Sequence, residues 1–334
     1  MFGIRLPVSG PFSTAEYIGK MAKEAEALDF DFVTVHDHMF WKSEWVKHHF
    51  QAGAIDVTPN WRQPTMFERL TTLSYIAGST KKLRIGSCVL SLPLRNPILA
   101  ARQAATIDAL SGGRLILGVG LGGVEEEFNP PLNSSRIPWN MRGSIGDEYI
   151  QVIKQLWTTP KASFKGKYIS YEDVEAYPKP VQKPHPPIWI GGNNPRAIKR
   201  IVKLGNGWVP GPPPSPQLFA KWLVDLKEEA KNVGRAFDEI EIIWEGYTGI
   251  EKTKEAALKK SKLTVENYAR SYGSVEKVLD ANLVGPPDEI IERVQKYLDV
   301  GVKHFQMKII DLSFEGILKS MKLLSDEVFP SFRS

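Results

Sequence analysis

The chain repeats one pattern along most of its length: a short, almost continuous apolar run is followed by a longer segment with apolar residues at helical spacing. The first pattern is typical of a strand buried on both faces of a parallel sheet, and the second of an amphipathic helix. The runs interpreted as strands are Phe2–Val8, Phe30–Val35, Leu83–Leu90, Arg114–Gly120, Pro186–Ile190, Gly207–Val209, Ile240–Trp244 and His304–Ile309. The sequence therefore predicts eight strand–helix units.

Alternation of strands and helices over this length predicts the α/β class with a parallel sheet. Eight units favour closure into a (β/α)8 TIM barrel, and a doubly wound open sheet is the alternative. No break in composition marks a second domain, so residues 1–334 are expected to form a single barrel domain. Segments that do not fit the repeat are interpreted as insertions, near residues 39–64, 129–141, 163–177 and 251–284.

The stretch from Leu92 to Phe128 is the most informative part of the chain. Pro93 and Pro97 bracket a rigid connection before a helix, and Ser111-Gly112-Gly113 ends that helix. The buried strand that follows leads into a glycine-rich segment. Backbone with few side chains, at the carboxyl end of a buried strand, is where α/β proteins place ligands.

The composition argues against several classes of function. Hydrophobic residues make up 42% of the chain and the net charge is +5, without a dense basic run. A nucleic-acid partner is therefore not expected. The single cysteine, Cys88, excludes an intramolecular disulfide and a thiolate metal cluster. No apolar stretch reaches membrane length and no signal segment is recognisable, so a cytoplasmic protein without a membrane partner is expected.

Four short runs give the chain a resemblance to a known family. They are LPLRNP at 92–97, QAATID at 103–108, LSGGR at 110–114 and LGVG at 117–120. In this order they resemble the bacterial-luciferase-like family of flavin and deazaflavin oxidoreductases, and in particular its coenzyme F420-dependent branch.

The resemblance implies a luciferase-like barrel that transfers hydride between F420 and a small organic substrate, and it suggests a homodimer. An FMN-dependent monooxygenase on the same barrel stays open as an alternative, as does a non-catalytic flavin-binding barrel. The insertions 39–64 and 251–284 match the family least, so substrate choice is expected to lie there.

His36, Asp37 and His38 end the second predicted strand. Because neighbouring strand positions point to opposite faces, the two histidines could share a side but Asp37 would not, and no metal site is expected. The resemblance instead implies that Asp37 and His38 contact the cofactor ring. An imidazole there can hydrogen-bond the ring or move a proton near neutral pH, so His38 is the first candidate catalytic residue.

Trp41 follows closely and is the second candidate, as a side chain that stacks on or encloses the substrate. The acidic run Glu125–Glu127 is interpreted as a solvated face. In sugar-phosphate dehydrogenases of the family an acid in this loop acts on the substrate, but the matching position here is Gly123, which argues against copying that substrate.

Further cofactor contacts are expected at the ends of three strands. The resemblance implies a non-proline cis peptide between Cys88 and Val89, against the cofactor ring, and Gly120 ends the next strand. Gly191, Gly192 and Asn193 precede a helix whose free amides could bind an anion. These glycines also belong to a Pro-Ile-Trp-Ile-Gly-Gly run that matches the family.

Overall fold

The computed structural model describes residues 1–10, 12–40, 66–129 and 137–333. Trp41 and most of the predicted insertion at 39–64 lie outside the described residues, as does part of the insertion at 129–141.

The described strands pair into a closed parallel barrel. In chain order they are β1 (Phe2–Arg5), β2 (Phe32–Val35), β3 (Arg84–Ser91), β4 (Leu115–Gly120), β5 (Ala162–Lys165), β6 (Ser170–Val174), β7 (Ile188–Gly191), β8 (Gly207–Val209), β9 (Glu241–Ile250), β10 (Leu283–Gly285) and β11 (His304–Ile309). The barrel order is β1-β2-β3-β4-β7-β8-β9-β11, and β11 returns to pair with β1. All eight of these strands were predicted, and the (β/α)8 barrel is confirmed.

Two predicted insertions interrupt the repeat. Strands β5 and β6 form an antiparallel hairpin outside the barrel. Apart from Ala162, the first residue of the hairpin, it lies within the segment predicted at 163–177. Strand β10 belongs to the segment predicted at 251–284 and pairs in parallel with the end of β9. The sequence did not predict β10. Strand β9 continues beyond the expected end at Trp244 because β11 pairs with it as far as Thr248 and β10 supplies hydrogen-bond partners from Thr248 to Ile250.

Helices cover the outside of the barrel. They are α1 (Ala15–Ala27), α2 (Arg69–Ser79), α3 (Pro97–Ser111), α4 (Arg142–Thr158), α5 (Pro195–Leu204), α6 (Pro216–Asn232), α7 (Lys254–Tyr272), α8 (Val275–Ala281), α9 (Pro287–Val300) and α10 (Phe314–Leu323). None of the described helices is long and apolar enough to cross a membrane.

Helix α3 shows how the sequence sets these boundaries. The Asn96 side chain accepts hydrogen bonds from the backbone N–H groups of Ile98 and Leu99, at 3.0 Å each. Pro97 occupies the first turn, where its missing N–H costs nothing. Gly112 ends the helix in a left-handed conformation, with φ of 69°, as is common for glycine at this position. The helix is thereby fixed at both ends between β3 and β4.

A compact apolar cluster lies beneath the barrel mouth. Side chains from the inward faces of several strands form it: Phe32, Cys88, Ile116, Trp189, Val209 and Ile243. Trp189 is fully buried and its ring meets that of Phe32 edge-on, with 5.5 Å between centroids. Because the interior is packed, a ligand can enter only above this cluster, at the carboxyl ends of the strands.

Candidate active site

A cleft of about 520 Å³ opens at the carboxyl ends of the barrel strands. Its walls come from the ends of β1, β2, β3, β4, β7, β9 and β11, from the loop after β8, and from α7. Of the residues that the sequence placed in the site, Asp37, His38, Cys88, Val89, Gly120, Gly191 and Gly192 line this cleft. The barrel thus brings together residues from four separate strand ends.

The glycine face of the cleft comprises Val89, Gly120, Gly191 and Gly192. The Cys88–Val89 peptide bond is cis, as the resemblance implied, and the register of β3 against β4 shifts between Ser87 and Leu90. A Cβ atom on Gly120 would lie 2.5 Å from Val89 Cγ2, and one on Gly191 would lie 3.3 Å from the same side chain. The two glycines therefore make room for Val89, and the wall is mostly backbone.

The connection from β7 to α5 continues the glycine face. Gly192 has φ of 128°, and a Cβ atom there would lie 2.9 Å from the Ala197 Cβ. The position therefore requires glycine. The Asn194 side chain caps α5 by accepting from the Ala197 N–H at 3.0 Å. Asn194 lines the cleft, whereas the predicted Asn193 is exposed and is not part of the lining.

The Asp37 carboxylate lines the cleft and is held by hydrogen bonds from neighbouring protein groups. The carboxylate accepts from Arg95 Nη2 at 2.9 and 3.0 Å and from the Ser91 backbone N–H at 2.9 Å. Arg69 Nε lies 3.5 Å from the same group, and both side chains are only 1% exposed. Burial lowers the pKa of Arg69 to about 10, although Asp37 opposes the shift. Asp37 thus joins the end of β2 to the segment after β3, and its contact with a cofactor stays a prediction.

His38 is paired with the carboxylate of Glu127, a residue that the sequence analysis interpreted as part of a solvated face. Its Nδ1 lies 3.5 Å from Oε1 of Glu127, which also accepts from the Met39 N–H at 2.6 Å. Glu125 is exposed as expected, but for Glu127 the solvated interpretation was wrong, because the short turn Glu125–Phe128 directs its side chain inward until it is completely buried.

The charged face of the cleft comprises Arg5, His36, Glu245 and Lys308. Lys308 Nζ lies 2.6 Å from Glu245 Oε1, and an Arg5 guanidinium nitrogen lies 3.7 Å from the same oxygen. Burial raises the pKa of the Glu245 carboxyl, but Lys308 and Arg5 outweigh this effect and lower it overall. Glu245 is therefore ionised and pairs with one cation from the neighbouring strand β11 and one from β1, the strand after it.

Sequence reasoning placed His36 at the barrel mouth but did not place Arg5, Glu245 or Lys308 in the site. The signal that could have found them is a charged residue inside a run predicted to be buried, or just beyond its carboxyl end. Arg5, Glu245 and Lys308 each fit that description.

His36 and Cys88 are both held in their neutral forms. Burial and then Arg5 lower the pKa of His36 well below its usual range. Arg5 Nε donates to His36 Nδ1 at 3.2 Å, and His36 Nε2 lies 2.9 Å from the Ser9 hydroxyl. Because Nδ1 accepts, the remaining ring proton lies on Nε2. Burial and then Glu245 raise the pKa of the Cys88 thiol well above its usual range, which agrees with its interpretation as a core residue.

Tyrosines close the cleft above the charged face. Tyr247 lies on β9, and its hydroxyl donates to that of Tyr268 on α7. Tyr272, one turn further along α7, donates to the Pro213 carbonyl at 3.1 Å. The segment predicted as an insertion at 251–284 thus contributes to the cleft lining.

A second cavity, of about 690 Å³, adjoins the cleft and shares Leu121, Arg142, Asn194 and Arg200 with it. Its cationic side chains define the basic groove: Arg142, Arg196, Lys199, Arg200 and Lys203. Arg200 is paired with Asp147, whereas Arg196, Lys199 and Lys203 are exposed and have no ion-pair partner among the described residues. The spacing along α5 places these cations on one face of the helix.

The described residues contain no group of three or more His, Cys, Asp or Glu side chains that could hold a metal ion. His36 and Asp37 are instead bound by arginines on different sides of the strand end.

A parallel barrel with a polar cleft at the carboxyl ends of its strands defines the class of (β/α)8 barrel enzymes. Within that class the chain belongs to the luciferase-like monooxygenase family, whose pattern matches residues 4–304.

Individual relatives agree with this assignment. The chain is 26% identical over 329 residues to an F420-dependent glucose-6-phosphate dehydrogenase of Microbacterium testaceum, covering 92% of this chain and 91% of the relative. It is 31% identical over 159 residues to an FMNH2-dependent dimethylsulfone monooxygenase of Pseudomonas putida, covering 48% and 43%. The fold matches that of an F420-dependent secondary alcohol dehydrogenase with a TM-score of 0.79 at 16% identity, over 100% and 99% of the two chains.

Proposed function

We propose that the protein is an F420-dependent oxidoreductase that transfers hydride between the deazaflavin and a small organic substrate. The observation that carries the proposal is the basic groove, because it distinguishes F420 from FMN. The two cofactors present similar rings, but F420 continues into a phosphodiester and several glutamate carboxylates, whereas FMN ends in one phosphate. A groove with several unpaired cations among its described residues suits the longer anionic chain.

The residues present also fit the ring. The glycine face offers a flat wall of backbone around Val89, and the N-terminus of α5 lies beside it, where unpaired amides favour an anionic group. We assign ring contacts to Asp37, His38, Cys88, Val89, Gly120, Gly191 and Gly192, with Asn193 at the margin. F420, when bound, supplies a carbon centre that accepts or donates hydride.

His38 is the proposed catalytic residue. It opens onto the cleft, with its side chain 28% exposed, and the buried Glu127 carboxylate orients its ring from behind. An imidazole in this position can donate or accept the proton that accompanies hydride transfer. We further propose that Trp41 encloses the substrate, and that the chain forms one barrel domain and a cytoplasmic homodimer.

The proposal is tested by titrating the purified protein, without cofactor, against F420 and FMN in parallel. F420 should bind more tightly, and its affinity should fall as salt rises, because part of the binding is electrostatic. The double variant Lys199→Glu/Lys203→Glu should weaken F420 by about tenfold and leave FMN nearly unchanged. A matched control, Lys221→Glu/Lys231→Glu, reverses the same number of exposed lysines on α6 and should change neither.

Tighter FMN binding, unaffected by the groove variant, would instead favour the monooxygenase suggested by the Pseudomonas relative. Binding of neither cofactor would contradict the proposal. A non-catalytic barrel would bind F420 but show no turnover, so the variant His38→Gln would have no activity to remove.

A further inference from the structure

The proposed contacts to F420 do not include Arg5, His36, Glu245 or Lys308 of the charged face, although these residues line the same cleft. Arg5 and Lys308 are cations and Glu245 is an anion, while His36 is neutral. These groups together carry one net positive charge. In a partly desolvated site, a charge without a counter-charge is costly, and it is usually matched by a partner.

The contacts show which cation is left to be matched. Glu245 Oε1 lies 2.6 Å from Lys308 Nζ, and Glu245 Oε2 accepts from the Cys88 thiol at 3.5 Å. Within the described part of the chain, the one ion pair of Arg5 is the longer contact of 3.7 Å to Glu245, and its Nε–H donates to the neutral His36. The Arg5, Glu245 and Lys308 side chains retain 23%, 15% and 21% of their exposure, so a small molecule in the cleft can reach them. The remaining guanidinium donors are suited to a carboxylate.

We propose that the charged face is the substrate site and that the substrate bears one carboxylate, held by Arg5 with Lys308 beside it. This inference rests on the proposed function, because the glycine face must take the cofactor for the charged face to take the substrate. A doubly charged phosphate would exceed the single positive charge that the face provides.

The tyrosines above the charged face indicate the shape of the rest of the substrate. Lys308 Nζ lies 5.4 Å from the centroid of the Tyr247 ring, and the ring of Tyr268 lies 4.7 Å from that of Tyr247. Aromatic rings beside the charged groups favour a substrate that has a flat, unsaturated part next to its carboxylate. The substrate class is therefore a small unsaturated or aromatic carboxylic acid.

The test uses benzoate as the probe, with benzamide as its neutral counterpart of similar shape and inorganic phosphate as the dianion. Each is titrated by calorimetry into the full chain, both without cofactor and after saturation with F420. Benzoate should bind at least about tenfold more tightly than benzamide, and phosphate should bind more weakly than benzoate.

Variants that change the charge of the face distinguish recognition of the carboxylate from a general effect on side-chain packing. Arg5→Met and Lys308→Met each bring the net charge of the face to zero, so the preference for benzoate should fall below about threefold. Glu245→Gln raises the charge instead and should tighten benzoate binding, an effect opposite to that expected from lost packing. Lys303→Met, at an exposed lysine before β11, is the matched control and should leave benzoate binding unchanged.

Equal binding of benzoate and benzamide, or tighter binding of phosphate, would overturn the inference. So would a Lys308→Met variant that loses F420 affinity rather than benzoate affinity, because the cation would then belong to the cofactor site. Failure of F420 to bind at all would contradict the proposed function, whereas the benzoate titration of the cofactor-free protein would still report on the charged face.

Discussion

The two sides of the cleft are built in different ways. On the glycine face the wall is backbone, and its shape depends on the absence of side chains at Gly120 and Gly191. On the charged face the wall consists of long side chains, and its shape depends on the ion pairs among Arg5, Glu245 and Lys308. One face can offer a flat surface to a large ring, while the other can recognise a charged group on a smaller molecule.

Different physical forces also maintain the two faces. The glycine face is sensitive to volume, since a single added methyl group would overlap Val89. The charged face is sensitive to charge and to pH, because its members are partly desolvated and depend on one another. Substitutions that act on volume or on charge should therefore affect one face without the other.

The largest effect is expected at Asp37, which follows His36 of the charged face in the sequence and lines the same cleft. Asp37→Ala removes the carboxylate that joins β2 to the segment after β3 and leaves Arg69, which is only 1% exposed, without its counter-charge. The free energy of unfolding should fall by about 3–5 kcal/mol, as for other broken buried ion pairs. Urea denaturation followed by circular dichroism measures the change.

Lys161→Ala is the control for Asp37→Ala. It breaks the Lys161–Asp173 pair, whose side chains are 60% and 68% exposed. Because such exposed pairs are well screened by water, the stability should change by less than about 1 kcal/mol. Equal losses in the two variants would show that Asp37 is no more important for stability than a member of a surface ion pair.

A smaller effect, confined to one face, is expected from Gly120→Ala. The new methyl group would lie 2.5 Å from Val89 Cγ2 and must displace it, at a cost of about 1–3 kcal/mol. We expect weaker F420 binding in a titration, with benzoate binding on the charged face unchanged. The second substitution Val89→Ala should restore F420 affinity in the double variant, because it returns the space. A double variant no better than Gly120→Ala alone would show that Val89 does not shape the face.

The same contrast explains what could be predicted from the sequence. Each strand and each glycine segment is encoded locally, as in Leu117–Gly120 and Ile188–Gly192, so periodicity and the family resemblance were sufficient to identify them, although Val89 meets the glycines only in the folded barrel. Arg5, Glu245 and Lys308 are far apart in the sequence and meet only because β1, β11 and β9 are neighbours after the barrel closes. No local pattern encodes that meeting.

Two individual side chains show the same limit. The position of Asp37 was predicted, but its partners Arg69 and Arg95 come from elements that reach it only in the folded chain. Glu127 was assigned to solvent because acidic runs usually are, and only the turn geometry of Glu125–Phe128 reveals its burial.

The smallest predicted effect concerns His36, the histidine of the charged face. Its pKa in the folded protein is lowered well below its ordinary value, first by burial and then by Arg5. The unfolded chain, in which the pKa returns to about 6.5, therefore binds the proton more readily. The stability that neutral His36 contributes is fully present above about pH 6.5, the pKa of the unfolded chain. It is lost as the pH falls from there toward the lower pKa that His36 has in the folded protein. The loss is at most about 1.4 kcal/mol per pH unit.

The measurement compares thermal midpoints at two pH values. We expect His36→Asn to show a smaller fall in thermal midpoint between about pH 7.5 and 5.5 than the unchanged protein. His185, His304 and the N-terminal amine of Met1, whose pKa values are also lowered by burial, contribute to the fall that remains. Identical falls in both proteins would mean that His36 gains no proton on unfolding and that the charged face does not keep it neutral.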